Sequence, residues 1–325
     1  MRLRHLFLSA AVFTASILSA APLKIAYSDW PGWTAFAIAE QKGWFKDAGV
    51  EVEMLWFEYG PSIDAFSAGK VDSVMVTNGD SLVMGAGGAK NIAILITDYS
   101  NGNDMIVALP GIKSIKDLKG KKIGVEVGLV DHLLLLNALQ KAGMSESDVE
   151  LVPTSTNQTP QVLASGQVDA IAAWQPNSGA ALKAVPGSTA IYTSAYEPGL
   201  IYDTVVVTPQ SLAQRRDDWV KVTKVWDRIV SYIADPKTNA DAVKIMAARA
   251  GVNDAEYAAF MKGTKFLTLQ DGIKVMTTKT GAFDSVLGSS RIADDFNVKN
   301  GVYKKSQDPA SYLDGSVKID ALIRK

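Results

Sequence analysis

The stretch FSAGKVDSVMVTNGD, residues 66–80, recurs in outline as LASGQVDAIAAWQPN, residues 163–177. In both stretches a helical segment ends at a glycine, and a strand then opens on Val-Asp. Polar or aromatic side chains follow where each strand stops. The repeat is short, but it predicts two similar lobes. Ligands of open α/β sheets bind outside the carboxyl ends of the strands, so two such ends that face each other would form a cleft.

Short apolar strands alternate with helical segments on both sides of this repeat. In the first half, strands are predicted at 23–27, 50–57, 71–76, 92–97 and 105–108. The pattern restarts after Pro110, and a chain return at 201–209 leads into a long amphipathic helix over 212–234. Alternation of this kind favours mostly parallel sheets covered by helices. The sequence therefore predicts an α/β protein with two lobes.

Composition excludes several kinds of chemistry. The chain has 325 residues, a formal net charge of −1 and no cysteine, and it has no basic stripe that would indicate nucleic-acid binding. Only one histidine, His132, lies beyond the first 20 residues, which argues against multi-histidine metal sites and histidine-dependent catalysis. There is no P-loop and no dinucleotide-binding motif. We predict no cofactor, no metal and no enzymatic activity; the rival is an enzyme of similar fold, which would need a reactive histidine and usually cysteines.

The first 20 residues have the layout of a secretory signal peptide. A basic start at residues 2–5 precedes the mainly apolar segment 6–18, and small residues follow at 19–20. The apolar segment is shorter than the roughly 20 residues that a membrane-spanning helix needs. The alternative is a buried N-terminal helix. Because no cysteine follows, no lipid anchor is expected, and we predict a soluble periplasmic protein released by cleavage before Ala21.

Aromatic and carboxylate side chains gather after the predicted strand ends. The predicted ligand-binding residues are Asp29, Trp30, Trp33, Asn78, Asp80, Asp104, Glu126, Trp174 and Asp203. Each has a structural alternative, because aspartate also caps helices and closes turns, and tryptophan also packs in cores. Their recurrence at one kind of position in the fold favours a binding site.

Several segments resemble the periplasmic solute-binding proteins of ABC importers in the nitrate/sulfonate/taurine class, which also includes relatives that bind thiamine-pyrimidine precursors. These segments are LKIAYSDWPGWTAFAIAEQKGWFKDAGVEVEML, AFSAGKVDSVMVTNGD, SIKDLKGKKIGVEVG, LLLLNALQKAGM and VLASGQVDAIAAWQP. Within the class, YSDWPGW, TNGD and DYSNGNDM are most similar to members associated with urea-carboxylase-type nitrogen pathways.

The resemblance implies a type II periplasmic binding protein fold. Each lobe would be a mostly parallel sheet flanked by helices, and two crossover hinge strands would join the lobes. We expect lobe 1 to comprise 21–107 and 205–325, and lobe 2 to comprise 108–204. The implied partners are a small-molecule ligand and the transmembrane permease subunits of an ABC importer, with no nucleic acid, and the implied state is a monomer.

One segment departs from the sulfonate-binding pattern. Sulfonate binders of this class tend to place Gly-Ser-Thr before the helix that corresponds to residues 130–142, whereas this chain has Gly-Leu-Val-Asp at 128–131. An anion would there meet Asp131 and Glu126. Two like charges near 4 Å cost about 4 kcal/mol at an effective dielectric constant of 20. A helix terminus returns only about 0.3–1 kcal/mol. Oxyanions are therefore disfavoured if these carboxylates face the cleft.

We predict a small, planar, nitrogen-rich and cationic ligand, with guanidinium as the favoured example. A planar fork of N–H donors matches a carboxylate, and its flat face suits an indole ring. The alternatives are urea, a thiamine-type pyrimidine, or taurine and other sulfonates. A different class of function also stays open, in which the protein is a ligand sensor for a membrane receptor.

Overall fold

The structure is a computed structural model that describes residues 21–323; the predicted signal peptide, residues 1–20, lies outside the described residues. The described chain is an α/β protein built on two sheets. Its strands are β1 Leu23–Tyr27, β2 Val52–Trp56, β3 Ser73–Thr77, β4 Ile92–Ser100, β5 Asp104–Ala108, β6 Lys122–Val125, β7 Glu150–Pro153, β8 Ala170–Trp174, β9 Thr189–Thr193, β10 Tyr202–Val207 and β11 Thr264–Phe266.

Helices cover both sheets. They are α1 Pro31–Thr34, α2 Phe36–Gln41, α3 Trp44–Asp47, α4 Tyr59–Ser67, α5 Asn78–Ala86, α6 Val130–Lys141, α7 Thr159–Ala164, α8 Asn177–Ala184, α9 Pro209–Ala234, α10 Asn239–Ala250, α11 Asp254–Lys262, α12 Leu269–Thr277, α13 Val286–Lys299 and α14 Ser316–Ile323. Short 3₁₀ turns lie at Ile115–Leu118, Glu146–Asp148, Thr156–Gln158, Ser194–Tyr196 and Pro309–Tyr312.

The two sheets share one plan. The first has the strand order β11-β4-β10-β3-β1-β2 and the second β7-β6-β8-β5-β9. In the first sheet β1 is parallel to β2 and β3, and β10 is antiparallel to β3 and β4. In the second sheet β6 is parallel to β7 and β8, and β5 is antiparallel to β8 and β9. The predicted two-lobed α/β fold is confirmed. The sheets are mixed rather than mostly parallel, because β5 and β10 each arrive from the other lobe and run against their neighbours.

The same two strands shift the predicted lobe boundaries. Strand β5 belongs to the second sheet and β10 to the first. Boundaries at 107/108 and 204/205 would fall inside these two strands and assign part of each to the wrong lobe. We propose instead that the chain crosses between lobes at 101–103 and 194–201. The crossings lie side by side: the Ser100 and Ser194 hydroxyls are 2.6 Å apart, and the Ser100 N–H donates to the carbonyl of Ile201 at 3.0 Å.

The repeated Val-Asp element has the same structural role in both lobes. The Asp72 carboxylate accepts the backbone N–H of Lys24 at 3.0 Å, which ties the start of β3 to β1. The Asp169 carboxylate accepts the backbone N–H of Lys122 at 2.9 Å and ties the start of β8 to β6. The repeat therefore fixes two strands in equivalent positions, and their carboxyl ends point toward the space between the sheets.

The long helix predicted after the chain return is confirmed as α9. It begins after Thr208, whose side chain accepts the backbone N–H of Ser211, and its predicted apolar stripe is buried. Trp219 and Trp226 on this stripe are fully buried. Helices α9, α12 and α14 pack against β4, so the C-terminal part of the chain covers the first sheet.

Candidate functional site

A cavity lies between the carboxyl ends of the first sheet and the second sheet. Its cavity volume is about 10 Å³. We call it the aromatic cavity, because four rings and two carboxyl groups line it: Trp30, Trp33, Tyr59, Trp174, Asp104 and Asp203. Within the described residues no Lys or Arg lines this cavity. Both lobes contribute side chains, so the site is complete only when the lobes are close together.

The rings form a continuous wall. Trp33 stacks on Tyr59 with centroids 5.6 Å apart, and Tyr59 meets Trp174 edge to face at 5.0 Å. Trp30 meets Trp33 edge to face at 6.5 Å. In residues 21–323 no group accepts a hydrogen bond from the buried indole N–H of Trp33 or of Trp174. The wall therefore offers flat faces together with two unused donors.

The loop after β1, which carries Trp30 and Trp33, is held in place by Asp98 of β4. The Trp30 indole donates to Asp98 Oδ1 at 2.9 Å. A Cβ added to Gly32 would lie 1.9 Å from Asp98 Oδ2, so only glycine lets the loop approach this carboxylate. The sequence Trp-Pro-Gly-Trp thus places two indoles against the cavity while the glycine between them makes room for Asp98.

Two carboxyl groups, Asp104 and Asp203, line the aromatic cavity, and a third lies close behind them. This third group is Asp98, which is opposite Asp203 in the β4–β10 register. Burial, followed by the charges of Asp98 and Asp104, raises the pKa of Asp203 well above its usual range. Burial raises the pKa of Asp104 to about 7, and the nearby charge of Asp98 adds to this. Asp104 Oδ2 has no hydrogen-bond partner in the described chain.

The start of helix α6 is occupied by a carboxylate of the other lobe. The backbone N–H of Val130 donates to Asp80 Oδ2 at 3.2 Å, and the Tyr59 hydroxyl donates to the same oxygen at 2.5 Å. Asp131, the next residue of α6, is fully buried, and neither of its carboxyl oxygens has a partner among residues 21–323. Burial raises its pKa, as do the charges of Asp104, Glu126 and Asp80. An oxyanion at this helix start would displace Asp80 and meet Asp131.

A second space adjoins the aromatic cavity and shares Tyr59 and Trp174 with it. We call it the acidic pocket; its other walls include Ser28, Asp29, Glu58 and Glu126, and its cavity volume is about 10 Å³. The Trp56 indole donates to Asp29 Oδ1 at 2.6 Å, and the Thr156 hydroxyl donates to Glu126 Oε2 at 2.9 Å. Burial is the main cause that raises the pKa of each of the three carboxyl groups.

The predicted site residues are divided among three environments. The aromatic cavity has Trp30, Trp33, Asp104, Trp174 and Asp203 on its walls. The acidic pocket has Asp29 and Glu126.

The remaining two predicted residues, Asn78 and Asp80, line neither space. The Asn78 side chain donates to the hydroxyls of Ser289 and Ser290 and accepts the backbone N–H of Tyr202, so it holds helix α13 and β10 in place. Asp80 acts behind the cavity wall, through Tyr59 and Val130.

Sequence reasoning missed Tyr59 and Glu58 altogether and left Asp98 out of the predicted site. Tyr59 opens α4 directly after β2, whose carboxyl end lies at the same sheet edge as that of β1. The strand-end rule that selected Trp30 therefore also applies to the FEYG segment at 57–60. His132 has a structural role, as its Nδ1 accepts the backbone N–H of Gly128 at 3.1 Å.

Two further findings bear on the kind of protein. In the described part of the chain, no group of three or more His, Asp or Glu side chains is arranged to hold a metal ion. Among the same residues, no helix has the length and hydropathy needed to cross a bilayer.

Comparison with known proteins identifies the family. The model of the family described as NMT1/THI5 like matches residues 30–239. A Brucella abortus protein named only as a binding protein is 30% identical over 296 residues, which cover 90% of this chain and 89% of that protein. The chain therefore belongs to the NMT1/THI5-like family.

Solved structures show the same fold. The alkanesulfonate-binding protein SsuA of Xanthomonas axonopodis pv. citri superposes with a TM-score of 0.74 at 19% identity and covers 90% of this chain and 98% of its own. The desulfurization enzyme DSZB has a TM-score of 0.63 at 16% identity, with coverage of 93% and 99%. At identities this low, the superpositions establish the two-lobed fold and nothing further. Binding proteins and at least one enzyme share that fold.

Proposed function

We propose that this protein is the extracytoplasmic solute-binding component of an ABC importer, and that it captures a small, planar, nitrogen-rich cation between its lobes. Guanidinium is the favoured example. The proposal rests on the family, on the two-lobed fold and on a cavity that both lobes complete. The role is binding rather than catalysis, in line with the name of the Brucella relative. Export to the periplasm by a leader at residues 1–20, a monomeric state and permease subunits as partners belong to the same proposal.

One observation carries the choice of ligand. In the aromatic cavity Asp104 presents a buried carboxylate oxygen that no group of residues 21–323 satisfies, and the surrounding walls are indole and phenol rings. A buried acceptor of this kind costs free energy unless a donor reaches it. A guanidinium ion can donate to such an oxygen while its face lies against Trp33 or Trp174, a contact worth about 0.5–2 kcal/mol per ring.

The same geometry argues against sulfonate or nitrate in this chain. The helix start that could hold an oxyanion already donates to Asp80, and Asp131 lies beside it. No Lys or Arg of the described residues reaches the cavity wall to compensate. A sulfonate ligand like that of the Xanthomonas structure would require the lobes to rearrange around these carboxylates.

Urea is the second candidate, and one observation favours it. The buried indole N–H groups of Trp33 and Trp174 have no acceptor within the described chain. Urea has a carbonyl oxygen that could accept from them, whereas guanidinium has none. A thiamine-type pyrimidine also combines donors and acceptors. A sensor that presents its closed form to a membrane receptor would use the same cavity.

The proposal is tested by calorimetric titration of purified residues 21–325 with guanidinium, urea, taurine and nitrate at pH 8. We expect heat of binding with guanidinium and none with taurine or nitrate. Four heavy atoms at about −1.5 kcal/mol each limit the affinity to a Kd of about tens of micromolar. Binding of urea but not guanidinium would select the second candidate. Binding of taurine or nitrate alone would overturn the proposal.

A further inference from the structure

The acidic pocket is built from both lobes, like the cavity beside it. Ser28, Asp29 and Glu58 belong to the lobe of the first sheet, and Glu126 follows β6 of the second sheet. Glu126 lies close to Gly60 across the interface, since a Cβ added to Gly60 would be 2.9 Å from Glu126 Oε1, and Glu58 faces Asn157 in the wall of the pocket. Closure of the lobes therefore brings three carboxylates to one small space.

These carboxylates act on one another. Burial raises the pKa of Glu58 first, and the charges of Asp29 and Glu126 raise it further. Among residues 21–323, no Lys or Arg lines the pocket to offset these charges. Without a positive group from outside the described chain, closure either protonates the carboxyl groups or increases their repulsion.

A second feature of the pocket points to a ligand independently of the carboxylates. Ser28 is only 4% exposed, and its hydroxyl has no hydrogen-bond partner in the described chain. A buried hydroxyl is normally satisfied by protein or water. Ser28 lines the acidic pocket next to Asp29, so its oxygen is placed to accept from a donor held there.

We propose that the acidic pocket is a second subsite that binds an ammonium-type group, with Ser28, Asp29, Glu58 and Glu126 as its acceptors. An ammonium group offers three N–H donors and a compact positive charge, which suits several carboxylates at once. Tyr59 and Trp174 form walls of both spaces. The favoured occupant is therefore the amine end of the same molecule whose planar cation fills the aromatic cavity. This extension rests on the proposed function.

Two ligands of matched length test the subsite: 4-aminobutylguanidine and butylguanidine, which lacks the amine. We expect the amine-bearing ligand to bind at least tenfold more tightly in calorimetry at pH 8. Glu58→Gln should reduce the ratio of the two affinities severalfold, because Glu58 is half-buried in the pocket wall and the substitution removes its charge. Glu126→Gln serves as the second variant if Glu58→Gln does not fold. Asp64→Asn, at an exposed position on α4, is the matched control and should keep the ratio of the unaltered protein.

The ammonium group could belong to the same molecule as the guanidinium or to a separate cation. Titration of the guanidinium-saturated protein with methylammonium distinguishes these two sources. Binding that depends on Glu58 supports a subsite filled by a separate cation. Equal affinity for the two guanidines without any methylammonium binding would overturn the inference, as would an amine preference that survives both glutamate substitutions. If guanidinium itself does not bind, the proposed function fails, and methylammonium binding to the free protein still decides whether the subsite exists.

Discussion

Asp104 is the residue on which the chemistry of the site depends most. Its position at the start of β5 places it opposite Trp174 of β8, at the edge where the two lobes meet. One carboxyl oxygen has no partner among residues 21–323, and burial raises its pKa to about 7. The folded protein thus holds a carboxyl group whose charged form is costly until a positive group arrives.

This pKa predicts how the stability of the ligand-free protein depends on pH. The pKa of Asp104 is about 7 in the folded state, against an ordinary value of 3.8, so the folded state binds the proton more tightly than the unfolded state. Its contribution is fully present below about pH 4 and is lost as pH rises through about 7. We expect the free energy of unfolding to fall by about 1–4 kcal/mol between pH 5 and 8, since each pKa unit is worth about 1.4 kcal/mol.

Thermal unfolding across this pH range measures the effect. Asp104→Asn removes one of several buried carboxyl groups that titrate in this range, among them Asp80 and Asp98, so it should reduce the pH dependence without abolishing it, whereas Asp64→Asn should leave it as in the unaltered protein. An Asp104→Asn variant with the same loss of stability from pH 5 to pH 8 would show that another group is responsible.

The sequence could indicate which residues lie near the cavity but not which way they point. The end of β1 placed Trp30 at the correct edge, and the crossing between the lobes placed Asp104 there. Asn78 and Asp80 satisfied the same rule, yet helix α5 begins at Asn78 and turns both side chains toward the protein itself. Side-chain direction depends on where a helix starts and on strand register, and neither is determined by composition or periodicity alone.

At the scale of elements, the Val-Asp repeat was the most informative signal. It predicted two equivalent strand starts, because a carboxylate at that position can accept the N–H of the neighbouring strand. The sheet to which β5 and β10 each belong was not predictable in the same way. An apolar run of five or six residues fits either sheet, and only pairing across the crossings decides which one it joins.

Because Asp72 and Asp169 make equivalent hydrogen bonds in the two lobes, their removal should cost similar amounts of free energy of unfolding. Asp72→Ala and Asp169→Ala each remove a carboxylate that accepts a strand N–H, of Lys24 and Lys122 respectively. Each substitution should lower the free energy of unfolding by about 0.5–1.5 kcal/mol, the usual net worth of such a bond. Denaturant titration of both variants, with Asp64→Ala as the control, tests this. A cost in one lobe and none in the other would contradict the equivalence of the two elements.

At the scale of the whole molecule, closure and charge are linked. The contact between Val130 and Asp80 joins the lobes, and the carboxyl groups of both lobes then face the same enclosed space. Opening would return these groups to water, where they ionise at little cost. A cation between the lobes compensates the charge in the closed form, so it favours closure, whereas an oxyanion would oppose it. This difference is the basis for selecting cations over sulfonates on a fold that both kinds of binding protein could use.

The most direct measurement is the calorimetric affinity for guanidinium at pH 8 of Asp104→Asn and Asp64→Asn, each compared with the unaltered protein. The two substitutions remove one charge each, but only Asp104 lines the cavity. We predict an affinity at least tenfold lower for Asp104→Asn, about 1.4 kcal/mol or more, and no change for Asp64→Asn. Equal affinity in the two variants, or binding of taurine in place of guanidinium, would contradict the selection of cations by this cavity.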